Sequence, residues 1–123
     1  MAARGEPFFT ENFTANLDSI ESFLGREGSP AFRRLLARLF DDLLPMIARF
    51  PRSGRSFLAH RIGSQDAQVL LDRLQGTLRK GDDLREFTVD EYVLLYLVRR
   101  TRVYFLAIKH HRQLSFDLQR FWP

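Results

Sequence analysis

LREFTVDEYVLLYLVRRTRVYFLAIKHHR, residues Leu84–Arg112, is the stretch that decides the fold. Three apolar, β-branched or aromatic runs follow one another in it: Leu84–Val89, Tyr92–Val98 and Val103–Ile108. Asp90-Glu91 and Arg99-Arg100-Thr101-Arg102 break them, a spacing that predicts an antiparallel meander joined by tight turns. Neither break holds the favoured Asn-Gly or Asp-Gly pair, so the turn types stay open. The middle run shows no apolar/polar alternation, and both faces of its strand are therefore expected to be covered. Helices cover one face; the chain's own tail or a partner covers the other.

Upstream, Pro7-Phe8-Phe9 reads as a short edge strand before Thr10, a candidate helix cap. Phe13, Leu17, Ile20 and Leu24 recur at the spacing of one helical face, and Gly25 and Gly28 stop that helix. A second helix is expected to start with Ser29 as cap and Pro30 in its first turn. Its buried stripe is expected to read Phe32, Leu35, Leu36, Leu39, Phe40, Leu43, Leu44, Ile47 and Phe50, ending before Pro51, with a kink or break expected at Pro45. Ser64, Ala67, Leu70, Leu71, Leu74 and Leu78 predict a further helix at about 64–80, which Gly76 weakens and Gly81 ends. The whole reads as one α+β domain, residues 1–123, with two to three N-terminal helices packed on one face of a small, mainly antiparallel sheet. The apolar tail around Phe121-Trp122 is expected to pack on the sheet.

Composition excludes several classes of function. There is no cysteine, hence no thiolate nucleophile, Cys-ligated metal site or disulfide framework, which fits a reducing cytoplasm. The amino terminus, MAARGEPFFTEN, has no apolar core of a secretory signal, and the longest apolar run is far short of a membrane span. The three histidines are not spaced with acids as a ligand set, so neither metal nor organic cofactor is expected. Net charge is +4, but residues 49–61 carry Arg49, Arg52, Arg55 and Arg61 with no acid, and residues 99–123 carry six basic residues against Asp117. Seventeen of the nineteen cationic residues are Arg, whose planar fork suits phosphate and carboxylate. Coding preference and ordinary solvated charge account for any single Arg equally well; segregation into two blocks is the informative feature. Brought together, those blocks would form one anion-binding face.

In order, a helix pair, Phe50-Pro51-Arg52-Ser53-Gly54-Arg55, Leu84-Arg85-Glu86-Phe87, Tyr92-Val93-Leu94-Leu95-Tyr96 and Val103–Ile108 followed by His110 and Arg112 resemble the RelE/ParE family of toxins. These are the toxin halves of bacterial type II toxin–antitoxin modules, often called plasmid stabilisation proteins, and the resemblance runs over roughly residues 7–112. No single motif carries it; the ordered set does. Three departures stand out. The chain inserts Ser56–Asp83 where the family has only a few residues, Tyr92 is followed by Val93 rather than a basic residue, and His111 and Gln113 flank Arg112 where a second Arg is usual.

The resemblance implies one of two activities. The first is ribosome-dependent cleavage of messenger RNA, which needs a base for a ribose 2′-hydroxyl, cations for phosphorane-like charge and an acid for the leaving oxygen. On it, Arg85, His110 and Arg112 are the catalytic candidates, with Tyr92, Tyr96, Lys109 and His111 secondary. Strand parity puts His110 and Arg112 on one face and Lys109 and His111 on the other if the strand runs that far. Glu86 and Glu91 are expected near turns or sheet edges, which makes neither an obvious base. The alternative is ParE-like inhibition of DNA gyrase by binding alone, which the Pro-x-x-Gly-Arg loop and the His-x-Arg ending resemble more closely. On either, Arg52, Arg55, Arg99, Arg100 and Arg102 are expected to contact phosphate or the target. A small non-toxic nucleic-acid-binding α+β protein sharing only the fold is a third class. The resemblance also implies an acidic antitoxin partner, whose amphipathic segment is expected to cover an apolar sheet face with a basic rim. The expected partners are thus antitoxin and ribosome with mRNA, or antitoxin and gyrase, in the cytoplasm, with no membrane and no small-molecule substrate.

Overall fold

A computed structural model of the chain describes residues 6–57 and 78–110. Strand β1 (Glu6–Phe9) leads into helix α1 (Glu11–Leu24). Helix α2 (Ser29–Ala37) continues through a π-helical turn, Arg38–Leu43, into α3 (Leu44–Arg49). A 3-10 turn, Pro51–Ser53, and the two-residue strand β2 (Arg55–Ser56) follow. The meander is β3 (Asp83–Val89), β4 (Tyr92–Arg99) and β5 (Arg102–His110). The five strands form one sheet in the order β1-β5-β4-β3-β2, antiparallel except for β1, which runs parallel to β5.

Helix α1 forms where the sequence signals it. The Thr10 hydroxyl accepts a hydrogen bond from the Phe13 N–H at 3.2 Å, and Gly25 ends the helix at φ 66°, a left-handed backbone that suits glycine. One expectation about the second helix needs correction. Ser29 is its first helical residue and Gly28 precedes it, without a side-chain cap. The irregularity expected at Pro45 takes the form of the π turn just before it, which bonds the Leu44 N–H to the Leu39 carbonyl and widens the helix where a proline's missing N–H and bulky ring would clash. Most of the inserted helix expected at about 64–80 lies outside the described residues; Leu78–Lys80 are not helical. The tail of residues 113–123 also lies outside them.

Central strand β4 is covered on both faces, as its unbroken apolar run requires. Leu94 and Tyr96 pack with Phe13, Leu35, Leu39 and Ile47 of the helices. Val93, Leu95 and Leu97 pack on the far face with Leu84, Leu106 and Phe57. Leu95, Leu97, Leu106 and Ala107 of the far face are fully buried. Both hairpins turn in two residues, and the first of each, Asp90 at φ 52° and Arg100 at φ 56°, adopts a left-handed backbone without glycine.

The sheet's one irregularity is a bulge in β5. Leu95 pairs with Ala107 but Tyr96 pairs with Phe105, so Leu106 has no partner in β4. The start of α1 takes up the freed groups. The Thr10 hydroxyl lies 3.0 Å from the Phe105 carbonyl and 3.1 Å from that of Leu106; Asn12 Nδ2 donates to Leu106 O at 3.0 Å; and the Ile108 N–H donates to Asn16 Oδ1 at 3.1 Å. The extra residue also reverses the strand's parity. Val103 and Phe105 face the helices before it and Ile108 after it, while Tyr104, Leu106 and Ala107 face away. Asn12→Ala removes one donor from a buried carbonyl and is expected to cost about 1–3 kcal/mol. The readout is a lower urea midpoint at unchanged m-value; an unchanged midpoint would show that Asn12 does not hold the bulge.

Candidate functional site

The Pro51–Gly54 loop is fastened to the sheet from beneath. Tyr96, in the middle of β4 and fully buried, points its hydroxyl at the loop. That hydroxyl donates to the Pro51 carbonyl and accepts from the Gly54 N–H, each at 2.8 Å. Burial pushes Tyr96 above the usual phenol range, against the Gly54 N–H bond that pulls it down. Gly54 is required there, because a Cβ would lie 2.5 Å from the Tyr96 hydroxyl and 2.6 Å from the Glu86 carbonyl. Arg85, across β3 from Tyr96, adds a second clamp. Its Nη1 donates to the carbonyls of Gly54 (2.5 Å) and Arg52 (3.2 Å), and its Nε donates to Asp83 at 2.8 Å.

Acids at the start of β3 take up other arginines. Arg55 Nε meets Glu86 Oε1 at 2.9 Å, and Arg99 grips Asp82 through two bonds of 2.9 and 2.8 Å. Glu86 is central in β3 and fully buried, beside the two-residue edge strand β2. Burial alone would raise Asp82, but the hydrogen bonds from the Arg99 side chain and the Arg79 N–H outweigh it and hold the carboxyl below its ordinary value. The Asp82 hydrogen bond, against burial, in turn raises Arg99. Arg102 lies over the Phe8 ring at 5.4 Å, and Phe8 stacks on Tyr104. Arg100 and Arg52 are exposed. Among the described residues, Asp82, Asp83 and Glu86 thus stand between the arginines of the two basic blocks.

His110 ends β5 beside Tyr92, whose ring it meets edge-on at 5.4 Å, and its Nε2 lies 3.3 Å from Glu91 Oε2. Burial, with Glu91 nearby, raises the Tyr92 hydroxyl. Lys109, paired with Val93, is buried on the opposite face. His111 and Arg112 lie outside the described residues.

The structure does not bring Arg85 and His110 together. Arg85 sits opposite Tyr96 and His110 opposite Tyr92, on the two strands flanking β4. Four residues along the strands and two strands across separate them by about 13 Å one way and about 10 Å the other. The sequence reading missed what Asp82, Asp83 and Glu86 do, because pairing with distant arginines has no local signature. It also placed Phe40 and Phe50 in the buried stripe of the second helix, whereas both rings are exposed, Phe50 at 55% beside Arg49 and Arg52. An aromatic just before a proline in an acid-free arginine block was the available signal. Among the described residues no group of His, Cys, Asp or Glu is placed to hold a metal ion, and no helix is long and apolar enough to cross a membrane.

A sequence model of the ParE toxin of the type II toxin–antitoxin system, parDE, matches residues 8–115. Comparison with curated proteins gives no match.

Tyr96→Phe leaves the Gly54 N–H and the Pro51 carbonyl without their shared partner and is expected to cost about 1–3 kcal/mol in urea unfolding. Gly54→Ala, which forces the loop off the sheet, is expected to cost more; equal stability of either variant with wild type would show that the latch is not made. Asp82 has its own signature in pH. A carboxyl held below 3.8 adds stability above that pH and loses it as the pH falls through the folded value. The stability gap between wild type and Asp82→Asn is therefore expected to be wide at pH 7 and to narrow below about pH 4. A gap that does not change with pH would remove the charge from the explanation.

Proposed function

The chain belongs to the ParE toxin family of type II toxin–antitoxin systems, and from that premise we propose that it arrests growth by binding DNA gyrase in the cytoplasm, without chemistry of its own. Membership implies an antitoxin partner that neutralises it. The observation that carries the proposal is the fate of Arg85. A phosphate-stabilising arginine needs free donors beside the acid–base group. Here the Nε and Nη1 donors of Arg85 are spent on Asp83, Arg52 and Gly54, which ties the guanidinium to the loop, and His110 is far along the sheet. Arg85 acts as a clamp for the loop.

One observation favours the other reading, cleavage of ribosome-bound mRNA. His110 and Glu91 form a contact in which a carboxylate orients an imidazole, the arrangement of a general acid or base. Arg112 would then supply the phosphate contact that Arg85 does not.

Two assays separate the readings. Purified protein in a cell-free translation reaction is expected to leave the 5′ ends of the message unchanged, and in a supercoiling assay to inhibit gyrase. His110→Ala is expected to keep that inhibition within about twofold. Ribosome-dependent cuts that vanish in His110→Ala would replace binding with catalysis.

A further inference from the structure

The acid-free block holds a rigid corner for which gyrase binding as such assigns no role. Phe50 ends α3 with its ring half exposed, and the Arg49 guanidinium lies over that ring at 5.8 Å. Exposed Arg52 follows two residues later. No Asp or Glu occurs from Leu43 to Gln65, so no acid within the segment competes for these cations.

The backbone under these side chains is fixed at every step. The Phe50 N–H donates to Met46 O at 2.8 Å and the Ser53 N–H to Phe50 O at 3.0 Å. The Arg52 carbonyl is held by Arg85, and Pro51 and Gly54 by Tyr96. An exposed aromatic flanked by arginines on an ordered backbone is what the energetic centre of a protein interface consists of. Because the loop is already ordered, binding costs little further conformational entropy.

Resting on the gyrase reading, we propose that the Arg49–Phe50–Arg52 corner is the surface through which the chain grips its protein target, an acidic patch with an apolar recess. The Phe50 ring enters the recess and the two guanidinium groups pair with carboxylates beside it, where their forks form bidentate bonds. The occupant is a protein rather than a nucleic acid for two reasons. A base-stacking platform needs an open ring face, and Arg49 already lies over one face of Phe50. Backbone tracking needs a long run of phosphate contacts, whereas this corner is two cations wide. Tyr96, Arg85 and Gly54 serve it by holding the loop up. The buried sheet thereby sets the shape of an exposed contact.

The test measures inhibition of purified DNA gyrase in the supercoiling assay by full-length wild type, Phe50→Ala, Arg52→Glu and, as a control elsewhere on the surface, Arg33→Ala. All three positions are exposed, so circular dichroism and urea midpoints are expected to match wild type. The proposal expects Phe50→Ala and Arg52→Glu to need at least tenfold more protein for half-inhibition, and Arg33→Ala to stay within twofold. If wild type inhibits gyrase and all variants do so equally, the corner is not the contact while the gyrase reading stands. If wild type neither inhibits nor binds gyrase, both fall. A mobility shift of naked DNA that Arg52→Glu abolishes, with gyrase itself unbound, would make the partner a nucleic acid and overturn the proposal.

Discussion

The bulge at Leu106 is the constraint on which the rest of the structure depends. A one-residue mismatch in a buried strand leaves backbone groups that water cannot reach, and they must find partners or cost free energy. Thr10, Asn12 and Asn16 supply those partners from a single helix end. α1 is therefore tied to the sheet by directional bonds as well as by the burial of Phe13, Leu17 and Ile20. The same hydroxyl that starts the helix thus sets where the helix lies. The parity reversal that follows puts His110 beside Tyr92 and buries Lys109 on the other face, so the only described histidine owes its surroundings to one unpaired leucine.

A second set of bonds works on the other flank of β4, toward β3. Tyr96 carries its hydroxyl through the core and delivers it to the loop, and Arg85 reaches the same loop from β3. Asp82, Asp83 and Glu86 neutralise Arg99, Arg85 and Arg55 at the sheet. A chain of net charge +4 thus pairs three of its seventeen arginines with acids of this one segment. Arg49 and Arg52 project from a segment without acids, and the local field there is stronger than the net charge suggests.

These two sets of bonds bear on the proposal that the chain acts by binding. Cleavage of RNA asks several groups to meet at one phosphate, and the sheet keeps its arginine clamp and its histidine at different places. Binding asks only for a fixed surface of suitable chemistry. The rigid corner at Phe50 provides one, made from backbone contacts that are not themselves exposed.

The sequence by itself determined the elements. The three apolar runs became β3, β4 and β5 with ends moved by two residues at most, Thr10 capped α1, and the helices took one face of the sheet. Such features follow from periodicity and local hydrogen bonding, which a few consecutive residues specify. Tertiary structure alone decided what those residues do. In VYFLAIKH every position is apolar up to Lys109, so no alternation reveals where parity changes, and the bulge is visible only once β4 and α1 lie alongside. The partners of Arg85 were hidden for the same reason. Its acidic partner Asp83 is two residues away, but the carbonyls of Arg52 and Gly54 that hold its guanidinium are some thirty residues distant and carry no side-chain signal. Hydrogen bonds to backbone carbonyls are made by position rather than by residue type, and position is what folding adds.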